Sequence, residues 1–128
     1  RPALVADLAA VHAASRVDTA VIDARSPGRF HATEPEPRPG LRGGHVPGSR
    51  NIPFRTLLAD DGTLLPVAIL QERFAGIDSG KPVIALCGSG ITAALLALGL
   101  HRIGKTDTAV YDGSWAEWGA RTDTEIAQ

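Results

Sequence analysis

The segment "VIALCGSGITAALLALGLHRIG", residues 83–104, decides how this chain folds. It opens on a short apolar run that suits a buried strand. Gly88, Ser89 and Gly90 then break the pattern, and Thr92 to Ile103 reads as a helix that ends at Gly104, a good C-terminal cap. The chain's single cysteine, Cys87, lies between the strand and the helix.

Working outward, "TAVIDAR" (19–25) is a β-branched run that predicts a strand ending at Asp23. "SRNIPF" (49–54) reads as a second short strand, "KPVIAL" (81–86) as a third and "DTAVYDG" (107–113) as the last. "LLPVAILQERFAGI" (64–77) predicts a helix opening near Pro66, and "SWAEWGA" (114–120) a short helix. In "RPALVADLAAVHAAS", Leu4, Leu8 and Val11 recur at helical spacing and Pro2 suits a first turn, so an opening helix is expected. Strands alternating with helices imply an α/β fold, with a mainly parallel central sheet flanked by helices on both faces. Residues 1–128 read as a single domain without internal repeats. Between Ser26 and Gly48 the chain holds five Pro and five Gly with little apolar periodicity, a long loop of the kind that carries function.

Composition narrows the classes of function. At 128 residues the chain can bury about two thirds of its unfolded surface around one core. One cysteine excludes an internal disulfide framework and fits a reducing compartment, here the cytoplasm. Thirteen Lys and Arg against fourteen Asp and Glu leave no bulk charge to steer the protein to nucleic acid or an anionic membrane. The longest apolar run, Ile91 to Leu100, is too short to span a bilayer. The chain starts at Arg1 rather than Met, which reads as a fragment or a processed product.

Cys87 is expected just beyond the carboxyl end of a strand, where open α/β sheets bind ligands. The following helix would aim unpaired N–H groups and its positive dipole end at the sulfur, while Gly88 and Gly90 allow the loop to curl into an anion nest. Such a setting lowers a thiol pKa and favours the nucleophilic thiolate. A small buried cysteine beside a glycine turn is the structural alternative. Phosphatase chemistry would need an arginine six positions after the cysteine, and that position is Ala93. The four histidines show no triad or metal spacing: His12 and His101 fall in predicted helices, His31 and His45 in the long loop.

"CGSGIT" (87–92), with "DARSPGRF" (23–30), "EPEPRPGLRGGHVPGSRNIPF" (34–54) and "YDGSWAEW" (111–118) around it, resembles the rhodanese superfamily. More narrowly it is similar to the catalytic C-terminal half of the 3-mercaptopyruvate sulfurtransferases, over about Thr19 to Trp118. The resemblance implies that Cys87 is the nucleophile, carrying sulfur as a persulfide, and that backbone N–H groups of Gly88, Ser89, Gly90, Ile91 and Thr92 cradle the outer sulfur. It implies that Ser89 assists proton movement, that Arg29 and Arg38 bind the substrate carboxylate, and that Arg25 forms an internal ion pair. Arg42, Arg50 and Arg55 are expected to be solvated charges. The matches at Gly44, His45, Pro47 and Gly48 are read as structural, Trp115 and Trp118 as packing residues, and Asp112 and Gly113 as a turn near the site.

The implied reaction moves a sulfane sulfur from 3-mercaptopyruvate to a thiol such as thioredoxin or glutathione, or to cyanide, releasing pyruvate. No metal or organic cofactor is implied, because the cysteine is the carrier. The uncharged loop disfavours thiosulfate as donor, since thiosulfate-preferring relatives carry basic residues after the cysteine. A non-catalytic rhodanese binding module is the alternative of another class. Such sulfurtransferases are usually tandem proteins, so an N-terminal rhodanese domain is expected as a partner absent from this chain.

Overall fold

The computed structural model describes residues 4–15, 19–78 and 80–128. Five strands form one all-parallel sheet in the order β1-β5-β4-β2-β3. These are β1 (Val5–Ala6), β2 (Ala20–Asp23), β3 (Arg50–Asn51), β4 (Val83–Leu86) and β5 (Ala109–Tyr111). The helices are α1 (Leu8–Ala14), α2 (Pro27–Phe30), α3 (Val67–Arg73), α4 (Ala93–Arg102) and α5 (Ser114–Trp118), with a 3₁₀ turn at Phe54–Leu57.

Side-chain alternation along the central strands divides the core into two layers. Ile22 from β2 and Val83 and Ala85 from β4 pack with Leu57, Leu70 and Leu96, under α3, α4 and the 3₁₀ turn. Val21, Ile84 and Leu86 face the opposite way, into Val11 of α1 and Trp115 and Trp118 of α5. A strand buried on both faces needs this near-continuous apolar sequence, and all four residues of β4 are buried.

The opening segment departs from the expected helix. Val5 and Ala6 form an edge strand parallel to β5, and the helix starts only at Leu8, after Asp7 accepts the Ala10 N–H at 2.9 Å. An N-cap carboxylate inside the run resets the helix start, so the helical spacing of Leu4 and Leu8 is coincidental. Pro2 lies outside the described residues. The long loop also holds structure: Ser26 caps α2 by accepting the Arg29 N–H at 3.3 Å, with Pro27 at the first helical position.

The strand order makes the site. After β2 the chain leaves to β3 on one side, then returns to β4 on the other side of β2. The loops that follow β2 and β4 therefore meet above a topological switch point, the crevice where doubly wound sheets place ligands.

Candidate active site

Cys87 follows β4 directly and is 1% exposed. Its Sγ accepts the Gly90 N–H at 2.9 Å, a bond that the left-handed φ of +99° at Gly90 makes possible. Burial pushes the Cys87 thiol up, but hydrogen bonds from the Thr92 hydroxyl and the Ala93, Gly90 and Ser89 N–H groups together outweigh it and hold the pKa below the ordinary thiol value. The loop is thus a nest that favours the thiolate.

α5 fixes the other side of the loop. The Cys87 N–H donates to Ser114 Oγ at 3.0 Å, and Ser114 donates in turn to the Tyr111 carbonyl at 2.8 Å. The Trp115 and Ala116 N–H groups donate to the Cys87 and Gly88 carbonyls, both at 2.9 Å. Ser114 holds φ at +51° although it is not glycine, a conformation that costs about 1–3 kcal/mol and persists because the docked helix end over-determines it. Sequence reading missed this residue. Its only signal was its place in "DGSW", three residues after the end of the last strand.

A cavity of about 130 Å³ lies beside the loop, lined by Arg29, Pro37, Arg38, Leu41, Gly88 and Ser89. It suits a ligand of a few heavy atoms, well below the ~300–1,000 Å³ of drug-sized pockets. The Arg29 guanidinium lies over Gly88, where a Cβ would come within 2.7 Å of Nη2 and push the fork aside. Arg38 lies on the exposed rim. Of the residues expected at the site, Arg29, Arg38, Gly88 and Ser89 share this cavity, and Cys87, which directly precedes Gly88, is buried and does not line it. Gly90 and Thr92 contact the sulfur from the helix side, whereas the Ile91 side chain is 79% exposed and lines no part of the cavity.

The arginines belong to a buried ion-pair chain. Arg25, fully buried, donates from Nε and Nη2 to the Asp23 carboxylate at 2.9–3.1 Å, from Nη2 to the Gly44 carbonyl at 2.6 Å, and stacks 4.3 Å from the Trp115 ring. Its Nη1 reaches Glu36 Oε2 at 3.2 Å. Arg29 grips the same carboxylate with Nε at 3.2 Å and Nη2 at 2.8 Å. This pairing raises the Arg29 pKa against the opposing effect of burial, so the group stays charged. Glu36 lay unremarked within "EPEP", because a carboxylate that bridges two guanidiniums looks in sequence like any loop acid.

Arg42 is not the solvated charge expected. It donates to the carbonyls of Trp118, Gly119 and Thr124 at 3.1–3.2 Å and to the Thr124 hydroxyl, which ties the loop to the C-terminal segment. Arg50 is exposed and donates to the Ala75 carbonyl, and Arg55 lies 5.4 Å from the Phe54 ring. His45 stacks on Phe30 at 3.7 Å and shares a 2.7 Å hydrogen bond with the Phe30 carbonyl, a role in the fold. Trp115 and Trp118 are buried and donate to the Arg42 and Glu125 carbonyls, both at 2.8 Å. Among the described residues no cluster suits a metal ion, and no helix is long and apolar enough to cross a membrane.

Comparison with known proteins agrees with this geometry. Thiosulfate/3-mercaptopyruvate sulfurtransferase 1, mitochondrial, of Arabidopsis thaliana is 53% identical over 107 residues, covering 82% of this chain and 28% of the relative. The 3-mercaptopyruvate sulfurtransferase of Escherichia coli strain K12 is 44% identical over 128 residues, covering 98% of this chain and 45% of its own length. The crystal structure of Tum1 protein from Saccharomyces cerevisiae superposes with a TM-score of 0.89 at 30% identity, over 99% of this chain and 47% of that one. The chain thus spans less than half the length of each of these relatives. The rhodanese-like domain model matches residues 5–121. With a thiolate nest at a parallel-sheet switch point and that match over most of its length, the chain belongs to the rhodanese-like domain family.

Proposed function

We propose that the domain moves a sulfane sulfur from 3-mercaptopyruvate to a thiol acceptor, or to cyanide, through a persulfide on Cys87. The observation that carries this reading is the Cys87 sulfur, which accepts the Gly90 N–H at 2.9 Å in a nest that favours the thiolate, one residue from a cavity lined by Gly88, Arg29 and Arg38. The Arabidopsis thaliana and Escherichia coli relatives named above are sulfurtransferases, and this supports the assignment of the chemistry.

The steps follow from the geometry. Free guanidinium N–H groups of Arg29 and Arg38 bind the donor carboxylate and aim its sulfur at the loop. The Cys87 thiolate attacks that sulfur, an S–S bond forms, and the donor C–S bond breaks with its electron pair passing to C3. The adjacent keto group takes up this charge as the enolate of pyruvate, and a proton delivered through Ser89 converts it to pyruvate. The inward N–H groups of residues 88–92 stabilise the outer persulfide sulfur as they do the thiolate. An acceptor thiolate or cyanide then attacks the outer sulfur, and Cys87 leaves as the thiolate. The cysteine is the only carrier this sequence needs. A reducing compartment, the cytoplasm in the first instance, suits a carrier discharged by free thiols.

The test is pyruvate release from 3-mercaptopyruvate with dithiothreitol or cyanide as acceptor. Cys87-dependent turnover is expected, abolished in Cys87→Ser. Release that survives the substitution, or none from the wild type, refutes the reading and favours a binding module.

A further inference from the structure

The charge of the cavity is set outside the cysteine loop. Asp23, Arg25, Glu36 and Arg29 form a continuous ion-pair chain, and Arg38 lines the same cavity at its exposed rim. Three guanidiniums against two carboxylates leave one net positive charge at the cavity wall. The loop from Gly88 to Thr92 adds no charge, and a Cys87 thiolate just before it adds a negative one that disfavours a dianion further. Asp112 adds a negative one behind it, with Oδ1 3.2 Å from where a Cβ at Gly90 would stand.

Glu36 decides this balance. Its side chain is 2% exposed, so water screens it little, and it occupies two of the three nitrogens of the Arg29 guanidinium. Arg29 Nη1 and Arg38 are left to meet a ligand. That remainder matches a carboxylate monoanion, whereas a dianion such as thiosulfate would enter a pocket that neutralises only part of its charge and would face the Glu36 carboxylate behind Arg29.

We infer that Glu36 is a specificity-determining residue, which holds Arg29 in place and tunes the pocket to singly charged carboxylate donors over doubly charged ones. The inference rests on the sulfur-transfer reading for its biological meaning, but the anion preference belongs to the ground-state pocket and is measurable without turnover. Neutralising Glu36 would add one unit of positive charge to the wall. At ~10 Å and an effective dielectric of ~20, one unit of charge changes the preference between dianion and monoanion by about tenfold.

The experiment measures how well pyruvate and sulfate protect Cys87 from iodoacetamide in the wild type, Glu36→Gln, Glu36→Asp and Pro37→Lys. Glu36→Gln should raise the affinity for sulfate relative to pyruvate about tenfold. Glu36→Asp retains the charge and should keep the wild-type ratio even where both affinities fall. Pro37→Lys adds the same charge on the exposed rim without touching the buried pairs, should shift the ratio the same way, and carries the test alone if Glu36→Gln does not fold. An unchanged ratio in these charge-adding variants, or a shift in Glu36→Asp equal to that in Glu36→Gln, overturns the inference, as does protection of the wild type by neither anion. Loading of Cys87 by donors is scored separately, so a wild type that binds pyruvate over sulfate yet forms no persulfide refutes the sulfur-transfer reading and leaves Glu36 standing.

Discussion

Replacing Gly90 with alanine tests whether the loop backbone holds the sulfur. Gly90 has φ of +99°, and a Cβ there would stand 2.8 Å from the Asp112 carbonyl oxygen. The left-handed conformation costs an alanine about 1–2 kcal/mol. The close approach is to backbone, which cannot swing aside, and such overpacking adds about 1–3 kcal/mol. Gly104 supplies the control: its φ is +102°, yet a Cβ would meet nothing within 4 Å. Gly104→Ala should therefore lose about 1–2 kcal/mol in urea denaturation, and Gly90→Ala about 2–5 kcal/mol. The decisive readout is the pH dependence of Cys87 alkylation by iodoacetamide. If the loop shifts to admit the methyl group, the 2.9 Å Gly90 N–H bond to Sγ weakens and the alkylation midpoint moves to higher pH, while Gly104→Ala keeps the wild-type midpoint. Equal stability losses in the two variants, with both midpoints unchanged, would refute the claim that the Gly90 backbone sets the state of the sulfur.

Other expectations follow from the same geometry. Arg29→Ala and Arg38→Ala should each raise KM for 3-mercaptopyruvate several-fold or more by removing a carboxylate contact, and unchanged steady-state kinetics in both would remove the arginines from the binding scheme. Arg42→Ala should cost about 1–3 kcal/mol of stability, since it strips the Thr124 carbonyl of its donor while the Gly119 carbonyl keeps the residue-42 N–H and the Trp118 carbonyl keeps the Thr124 hydroxyl, with little effect on Cys87 alkylation. Because the folded thiol pKa is lowered, the thiolate stabilises the fold above the unfolded pKa, and that contribution is lost as pH falls through the folded value. A wild type minus Cys87→Ser difference in stability that grows in favour of the wild type between those two pH values would show this. A pH-independent difference would contradict it.

The central sheet was legible because β2, β4 and β5 are apolar runs bounded by loop residues, and the nest was legible because two glycines separate a strand from a long helix. β1 was not, since a two-residue edge strand has no period of its own and lay inside a run that satisfies helical spacing. At the site, Arg29 and Arg38 came from the family resemblance rather than from composition. The anchoring of Arg42 to residues 76–82 positions away, and the contact of Ser114 with a cysteine 27 positions earlier, depend on tertiary closeness that no local pattern encodes. Glu36 is the sharpest case, because its two partners are Arg25, just after β2, and Arg29 of α2, whose convergence on it only the folded chain creates.

The central claim, that Cys87 carries sulfur as a persulfide, is tested most directly by intact-protein mass spectrometry after separate incubation with 3-mercaptopyruvate and thiosulfate, with Cys87→Ser as control. The account predicts a gain of one sulfur mass, faster from 3-mercaptopyruvate and absent in the variant. Faster loading by thiosulfate would overturn the donor assignment, and no gain from either donor would contradict the carrier role of Cys87.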